Sequence, residues 1–174
     1  GEIYNFLELR NMLESDGTRF RSKSDTEVII ALYKKYDTDC LRYLRGMFAF
    51  TISDKRRQRL FLARDRVGKK PLKYYFKSGV FIFASELKAI LKNPEVKREI
   101  DEEAIDEYLT YQYVPHPKTG FRDIWKLPPA HYATLELTGT EPKLEIKRYW
   151  RLDFKKKQNF SEEEIESVFA HELG

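Results

Sequence analysis

Three pairs of short segments, rich in aromatic and β-branched residues, constrain the fold of this chain more than any other feature. Within each pair, only a few charged or turn-forming residues separate the two segments. That spacing predicts antiparallel β-hairpins, because parallel strands need a crossover of a dozen or more residues. The predicted hairpins join MFAFTIS to RLFLARD, KPLKYYF to VFIFAS, and HYATLEL to KLEIKRYW.

Helical periodicity fills most of the sequence between these hairpins. Apolar residues recur at helical spacing over residues 6–13, 24–36, 39–45, 85–92 and 101–111. Helix starts are predicted at Ser24, which forms a capping box with Glu27, at Ser85, at Asp101, and at Ser161 with Glu164. The proline-rich stretch 113–131 is expected to be an irregular loop. Helices grouped apart from hairpins predict an α+β fold, with two antiparallel sheets and helices packed outside them.

Composition excludes several classes of protein. The 174 residues suit one domain plus a short piece of another, and the formal net charge is only +4. The basic clusters at 55–59, 69–70 and 155–157 fall in predicted turns or linkers, which argues against nucleic-acid binding. No apolar run approaches the roughly 18 residues of a membrane span. One cysteine and three scattered histidines predict neither a disulfide nor a metal site, and they fit a reducing, cytoplasmic location.

Few residues can be identified as catalytic or ligand-binding candidates from the sequence pattern alone. Cys40 is the only thiol, and without a neighbouring histidine it is interpreted as a buried structural residue. Glu2 stands before a helix and Asp25 stands at a helix start, where an acid complements the helix dipole. Spacing alone favours ordinary surface roles for both. The charged run at residues 64–66 either braces the sheet or projects into a cleft, and bracing is the favoured interpretation.

A series of motifs that follow one another in a fixed order gives more specific information about function. GEIYNFLELR, SDTEVI, DCLRYLRGMFAFTISD, RLFLARDRVGKKPLKYY, FASELKAIL, YLTYQYVPHPKTGFRDIWKLPPAHY and KRYW follow one another through residues 1–150. This order resembles the glutaminase domain of class II glutamine amidotransferases, and in particular the branch of glutamine-hydrolysing asparagine synthetases. The resemblance implies an N-terminal nucleophile fold, in which two antiparallel sheets stack between helical layers, here incomplete at the N-terminus.

The resemblance also implies residue roles. Family members attack the glutamine side-chain amide with an N-terminal cysteine thiol, whose own α-amine serves as base. That cysteine is expected upstream of Gly1, so the chain would be an inactive fragment. Gly1 would contribute a backbone amide to the oxyanion hole. Glu2 and Asp25 would bind the α-ammonium group of glutamine, which reverses the surface roles that spacing alone favours. No metal ligand is expected.

The resemblance further predicts the organisation of the whole protein. Residues 1–154 would form a truncated glutaminase domain, and residues 155–174 a linker with the start of an ATP-binding synthetase domain. No cofactor is expected in the first domain, whereas ATP and Mg²⁺ belong to the second. The expected partners are glutamine and the chain's own synthetase domain, and a homodimer is left open. Three alternatives also stay open: an acceptor other than aspartate, such as a sugar acid, a non-catalytic glutamine-binding module, and a fragment without independent function.

Overall fold

The computed structural model describes residues 1–153 and 161–173. The helices of this part of the chain are α1 (Phe6–Ser15), α2 (Asp25–Tyr36), a 3-10 helix (Asp37–Arg42), α3 (Leu87–Ile90), α4 (Glu102–Tyr111) and α5 (Glu162–Leu173). The strands are β1 (Glu2–Ile3), β2 (Gly46–Met47), β3 (Ala49–Asp54), β4 (Arg59–Arg64), β5 (Lys73–Lys77), β6 (Val80–Ala84), β7 (Ile124–Lys126), β8 (His131–Glu136) and β9 (Lys143–Arg148). The predicted linker residues 155–160 lie outside the described part.

The strands form antiparallel sheets, and the three predicted hairpins are confirmed as β3–β4, β5–β6 and β8–β9. One sheet has four strands in the order β3-β4-β8-β9, and another has three in the order β6-β5-β7. Strands β1 and β2 form a separate two-stranded ribbon, which was not predicted from the sequence. The proline-rich stretch 113–131 was predicted to be an irregular loop, and this is only partly correct. It contains strand β7, which pairs with β5.

Alternating side chains on β4 show how the layers stack. Phe61 and Ala63 belong to the apolar core beneath α1 and α2, whereas Leu62 faces a separate core shared with Leu72 and Leu127 of the three-stranded sheet region. Successive strand residues point to opposite faces, so the four-stranded sheet lies between the helices and the second sheet. A third core packs α3 against the far face of β5 through Tyr75 and Ile90. The order helix, sheet, sheet, helix matches the predicted α+β sandwich.

Two of the predicted helix caps form as expected. The Asp101 side chain accepts a hydrogen bond from the Ala104 amide at 3.1 Å. Ser161 and Glu164 bond reciprocally, with Glu164 Oε2 accepting from the Ser161 amide at 2.9 Å and Ser161 Oγ accepting from the Glu164 amide at 3.3 Å. These two helix starts are therefore determined by residues close in sequence.

The other two predicted caps need correction. Ser24 caps α2 through the Thr26 amide at 3.1 Å, but Glu27 does not return the bond to Ser24. Its carboxylate instead accepts from the amides of Arg21 and Ser22 at 2.9 and 2.8 Å. Ser85 does not cap α3: Glu86 precedes that helix, and no side chain bonds its first turn. The loop before α2 turns its amides towards Glu27, which explains the first difference.

Helix α4 is amphipathic as predicted, but its apolar side is not covered within the described structure. Only Ala104 of this helix is buried. Ile105, Tyr108 and Leu109 are exposed by 41%, 51% and 75% of their surface. Contiguous apolar patches of this kind mark interaction surfaces. Among the described residues, no helix is both long and apolar enough to cross a bilayer.

Candidate functional site

The first residues of the chain are held in place by the ribbon of β1 and β2. Glu2 is opposite Met47, and Ile3 is opposite Gly46. A Cβ atom on Gly46, whose φ is +149°, would lie 2.2 Å from the Glu2 carbonyl oxygen. One on Gly1 would lie 2.8 Å from the Met47 carbonyl oxygen. Glycine at both positions therefore lets the two backbones approach closely, which a side chain would prevent.

Asn5 completes this attachment. Its side-chain amide donates to the Tyr43 carbonyl oxygen at 3.0 Å, and its side-chain oxygen accepts from the Arg45 amide at 3.0 Å. The Tyr4 amide donates to the Arg45 carbonyl oxygen at 2.8 Å. Sequence patterns predict no role for Asn5, because its partners are about 40 residues away. The only available signal was its place in the GEIYN motif.

Asp25 lies beside this ribbon. It is the first residue of α2, and its Oδ2 accepts a hydrogen bond from the Ile3 amide at 3.2 Å. That amide belongs to the peptide bond between Glu2 and Ile3, so the carboxylate of Asp25 lies next to the backbone of Glu2. The Glu2 side chain itself is exposed. The structure thus brings together Gly1, Glu2 and Asp25, the three residues singled out from the sequence.

A cleft of about 860 Å³ lies close to these residues, between α2 and β3. Thr26, the residue after Asp25, lines it together with apolar side chains from both elements: Ile29, Ile30, Phe50 and Ile52. Strand β3 is at the edge of its sheet, so one side of its backbone faces this region. Five charged residues also line the cleft: Lys34, Asp54, Lys55, Arg56 and Arg57. The cleft therefore combines an apolar floor with a mostly basic rim, beside the carboxylate of Asp25.

Cys40 lies away from this cleft and is fully buried in the core beneath α1 and α2. Burial, followed by the charges of Asp37 and Asp39, raises the pKa of its thiol to about 12. Because the thiolate is the reactive form of cysteine, Cys40 is not a nucleophile. The prediction of a structural thiol is confirmed.

Arg64 and Asp65 brace the loop that follows β4. The Arg64 guanidinium donates to three carbonyl oxygens, those of Gly68, Lys70 and Leu127, at 2.7–2.8 Å. The Asp65 carboxylate is completely buried and accepts from four backbone amides, those of Phe48, Val67, Lys69 and Lys70. The favoured interpretation of this charged run is therefore confirmed for both residues. The two side chains bind backbone groups rather than each other.

Within residues 1–153 and 161–173, no group of three or more histidine, cysteine, aspartate or glutamate residues is arranged to hold an ion.

Comparison with known proteins identifies the family. Residues 1–150 match the family model of the glutamine amidotransferase domain. The chain belongs to the glutamine amidotransferase domain family. This amidotransferase domain is 37% identical, over 97% of the chain, to asparagine synthetase [glutamine-hydrolyzing] 3 of Bacillus subtilis. It is 38% identical over 97% of the chain to asparagine synthetase [glutamine-hydrolyzing] 1 of the same organism.

One further relative of this amidotransferase domain has a different name. The chain is 35% identical, over 95% of its length, to amidase chyE of Penicillium rubens. In each case it aligns with only part of the relative: 27% and 26% of the two asparagine synthetases and 24% of the amidase. The chain therefore spans about a quarter of the length of the curated relatives that it matches.

Solved structures agree with the fold of the amidotransferase domain. Glutamine phosphoribosylpyrophosphate amidotransferase from B. subtilis, in complex with ADP and GMP, superposes with a TM-score of 0.57 at 21% identity. The superposition covers 86% of this chain and 28% of that one. The prediction of an N-terminal nucleophile type of sandwich is confirmed at the level of fold.

Proposed function

We propose that this chain is the glutamine-binding part of a glutamine-hydrolysing asparagine synthetase. In such a protein, ammonia released from glutamine amidates aspartate in an ATP-dependent reaction. The similarity to asparagine synthetases over 97% of the chain carries this proposal. The ATP and Mg²⁺ sites would lie in a separate synthetase domain, and residues 1–154 would need no cofactor of their own.

Asp25 and Glu2 are proposed to bind the α-ammonium group of the glutamine substrate. One oxygen of Asp25 accepts from the Ile3 amide, while Oδ1 has only a 3.5 Å contact with the Thr26 hydroxyl. A carboxylate oxygen in that position can accept a charge-assisted hydrogen bond, which is about twice as strong as a neutral one. The exposed Glu2 carboxylate would be the second anion around the same cation.

Gly1 is proposed to contribute its backbone amide to the oxyanion hole of the reaction. The paired ribbon of β1 and β2 supports this role, because an oxyanion hole requires donors that are fixed before the reaction begins. The close approach of the Gly1 and Phe48 backbones provides that rigidity, since a Cβ on Gly1 would lie 3.1 Å from the Phe48 Cα.

The nucleophile is proposed to lie outside the 174 residues, upstream of Gly1. Cys40 is the only cysteine among them, and its buried, protonated thiol cannot attack an amide. The chain by itself is therefore expected to bind glutamine without hydrolysing it.

The exposed apolar side of α4 supports a partner domain. Ile105 and Leu109 are separated by one helical turn, and Tyr108 lies beside them, so the three form one patch. A synthetase domain of the same polypeptide would cover this patch. In the proposal, residues 155–174 are a linker and the start of that synthetase domain.

A different acceptor is the second candidate. The similarity to amidase chyE favours it, because that relative matches 95% of this chain under a name other than asparagine synthetase. A chain of this type could transfer ammonia to another carboxylate, such as a sugar acid. Acceptor choice would then depend on residues outside this domain.

Isothermal titration of the purified chain with L-glutamine tests the binding site. Asp25→Asn is expected to weaken binding by about 10- to 100-fold, because it removes one charged partner of the ammonium group. The matched control is Asp106→Asn, an exposed position on α4, which should bind glutamine as the unchanged chain does. Equal binding by the Asp25 variant would contradict the proposed role.

An activity assay of the full-length gene product tests the reaction. Release of ammonia from glutamine, and formation of asparagine from aspartate and ATP, are expected. Amidation of a sugar acid but not aspartate would favour the second candidate. Glutamine binding without ammonia release would instead indicate a non-catalytic binding module.

A further inference from the structure

A pair of lysines lies directly opposite each other in the three-stranded sheet. Lys73 of β5 and Lys126 of β7 are cross-strand partners, so their side chains emerge on the same face with Cβ atoms about 5 Å apart. Like charges in this position destabilise a sheet. The pair therefore needs a compensating anion if it is to stabilise rather than strain this region.

One further cationic group, Arg64, and the imidazole of His116 border the same pocket. Arg64, Lys73, His116 and Lys126 line a cavity of about 270 Å³, together with Pro71, Leu72, Tyr113 and Val114. The Lys126 amide donates to the Pro117 carbonyl oxygen at 2.7 Å, which holds the His116 segment against β7. Three elements distant in sequence thus contribute positive charge to one small cavity.

No carboxylate lines this cavity. Among the described residues, neither lysine nor Arg64 forms an ion pair. The carboxylates that act on them electrostatically are Asp65 on Arg64, Glu86 on Lys73 and Glu107 on Lys126, and each of these acids has other partners. Glu86 binds Lys88 at 2.7 Å, and Glu107 binds Lys118 at 2.9 Å. These carboxylates offset part of the positive charge, but the lining of the cavity itself contains cations and no acid.

The titration of the lysines reflects this environment. Burial, and then the Arg64 guanidinium, lowers the pKa of Lys73. Burial, followed by the charges of Lys73 and Arg64, lowers the pKa of Lys126. The same two causes, burial and then Arg64, lower the pKa of His116. Any anion that enters the cavity relieves this mutual repulsion.

We propose that the cavity between Lys73 and Lys126 binds a multivalent oxyanion, namely a phosphate or diphosphate group. Each ammonium group uses one donor on a backbone carbonyl, that of Ser85 for Lys73 and that of Val114 for Lys126. Each therefore keeps two donors for a ligand. The site is separate from the proposed glutamine site, because its two lysines belong to the three-stranded sheet and no residue lines both cavities.

The donors and the size of the cavity select phosphate over a carboxylate or a larger ligand. The Arg64 guanidinium already donates to three carbonyl oxygens, so it contributes charge rather than the two-pronged contact that carboxylates favour. Lysines act as point charges, and their attraction grows with the charge of the anion. A volume of about 270 Å³ is below the 300–1,000 Å³ of typical drug-sized sites.

Calorimetric titration of the purified chain with sodium pyrophosphate tests this site. Sodium chloride at matched ionic strength controls for screening, and inorganic phosphate and a hexaglutamate peptide are titrated in parallel. Lys73→Met and Lys126→Met remove each charge while keeping the aliphatic length. Each is expected to weaken pyrophosphate binding at least about tenfold, the effect of one charged hydrogen bond. Lys147→Met, on the exposed β9 pair with Glu145, is the matched control.

Melting temperatures separate a binding defect from a folding defect. Both pocket variants lose a like-charge repulsion, so without anion they are expected to melt within about 3 °C of the unchanged chain. Pyrophosphate should raise the melting temperature of the unchanged chain and of Lys147→Met, but not that of the pocket variants. The proposal is overturned if pyrophosphate acts no differently from chloride, or if all three variants lose binding equally. Binding of hexaglutamate alone would also overturn it, and would indicate an acidic protein segment instead.

Discussion

Replacing Asp65 by asparagine tests the idea that this charged pair braces the fold. The four amides that donate to the carboxylate come from the residue before β3 and from the loop after β4, so Asp65 connects two parts of the chain. Its own amide donates to the Phe48 carbonyl oxygen at 2.9 Å, and its carbonyl oxygen accepts from the Ala130 amide at 2.9 Å. The residue thus joins three segments through its side chain and backbone together.

The expected loss of unfolding free energy follows from the number of hydrogen bonds that each carboxylate oxygen of Asp65 accepts. Oδ1 accepts from Val67 and Lys69, and Oδ2 accepts from Phe48 and Lys70. Asparagine keeps one acceptor oxygen and turns its NH₂ group towards two amide donors. Two hydrogen bonds to a charged group, at about 1.5–3 kcal/mol each, are lost. Because three of the four amides are only partly buried, we expect the lower end, about 3 kcal/mol.

Urea denaturation followed by circular dichroism measures this free energy of unfolding. A loss of about 3 kcal/mol is a large fraction of the 5–15 kcal/mol that stabilises a typical domain. Asp39→Asn is the control, because the Asp39–Arg42 ion pair is exposed and such pairs contribute about 0.5 kcal/mol. If Asp65→Asn destabilises the chain by less than about 1 kcal/mol, the bracing interpretation is wrong.

Three further perturbations test other parts of the structure. Cys40 should not react with a thiol reagent at pH 8 until the chain is unfolded in urea, because its pKa of about 12 leaves roughly one molecule in ten thousand as thiolate. Gly46→Ala should destabilise the chain by at least about 2 kcal/mol more than Gly139→Ala in the same urea assay. Both glycines have positive φ, but only Gly46 faces a backbone atom at 2.2 Å, so equal losses would contradict the close approach. Glu27→Gln should remove part of the stability seen at neutral pH. Hydrogen bonds from the Arg21 amide and from the hydroxyl and amide of Ser22 lower the pKa of Glu27. Its contribution to stability is therefore present above the usual glutamate pKa and disappears as the pH falls through the lowered value. Melting curves between pH 3 and 7 check this, and an unchanged pH profile for the variant would show that Glu27 contributes nothing.

Local features were predictable because their causes are local. The hairpins follow from alternating side chains and short turns, and Asp101 starts α4 through an amide three residues away. Predictions failed where the partner of a residue or strand is distant in sequence, or where two sets of backbone amides compete for one side chain. Glu27 bonds the loop before its helix rather than Ser24. Strand β7 forms because β5, about 50 residues earlier, offers an open edge. Neither effect leaves a periodic signal in the sequence.

The sequence by itself determined the three hairpins, most of the helices, the family and the residues that carry the resemblance. Only the tertiary structure decided which of them meet. It brought the Asp25 carboxylate to the Ile3 amide, and it assigned Arg64 and Asp65 to backbone groups. It also placed Lys73 opposite Lys126, an arrangement that no sequence motif predicts. Strand register depends on which face of each strand is buried, and that is determined by packing between segments far apart in the chain.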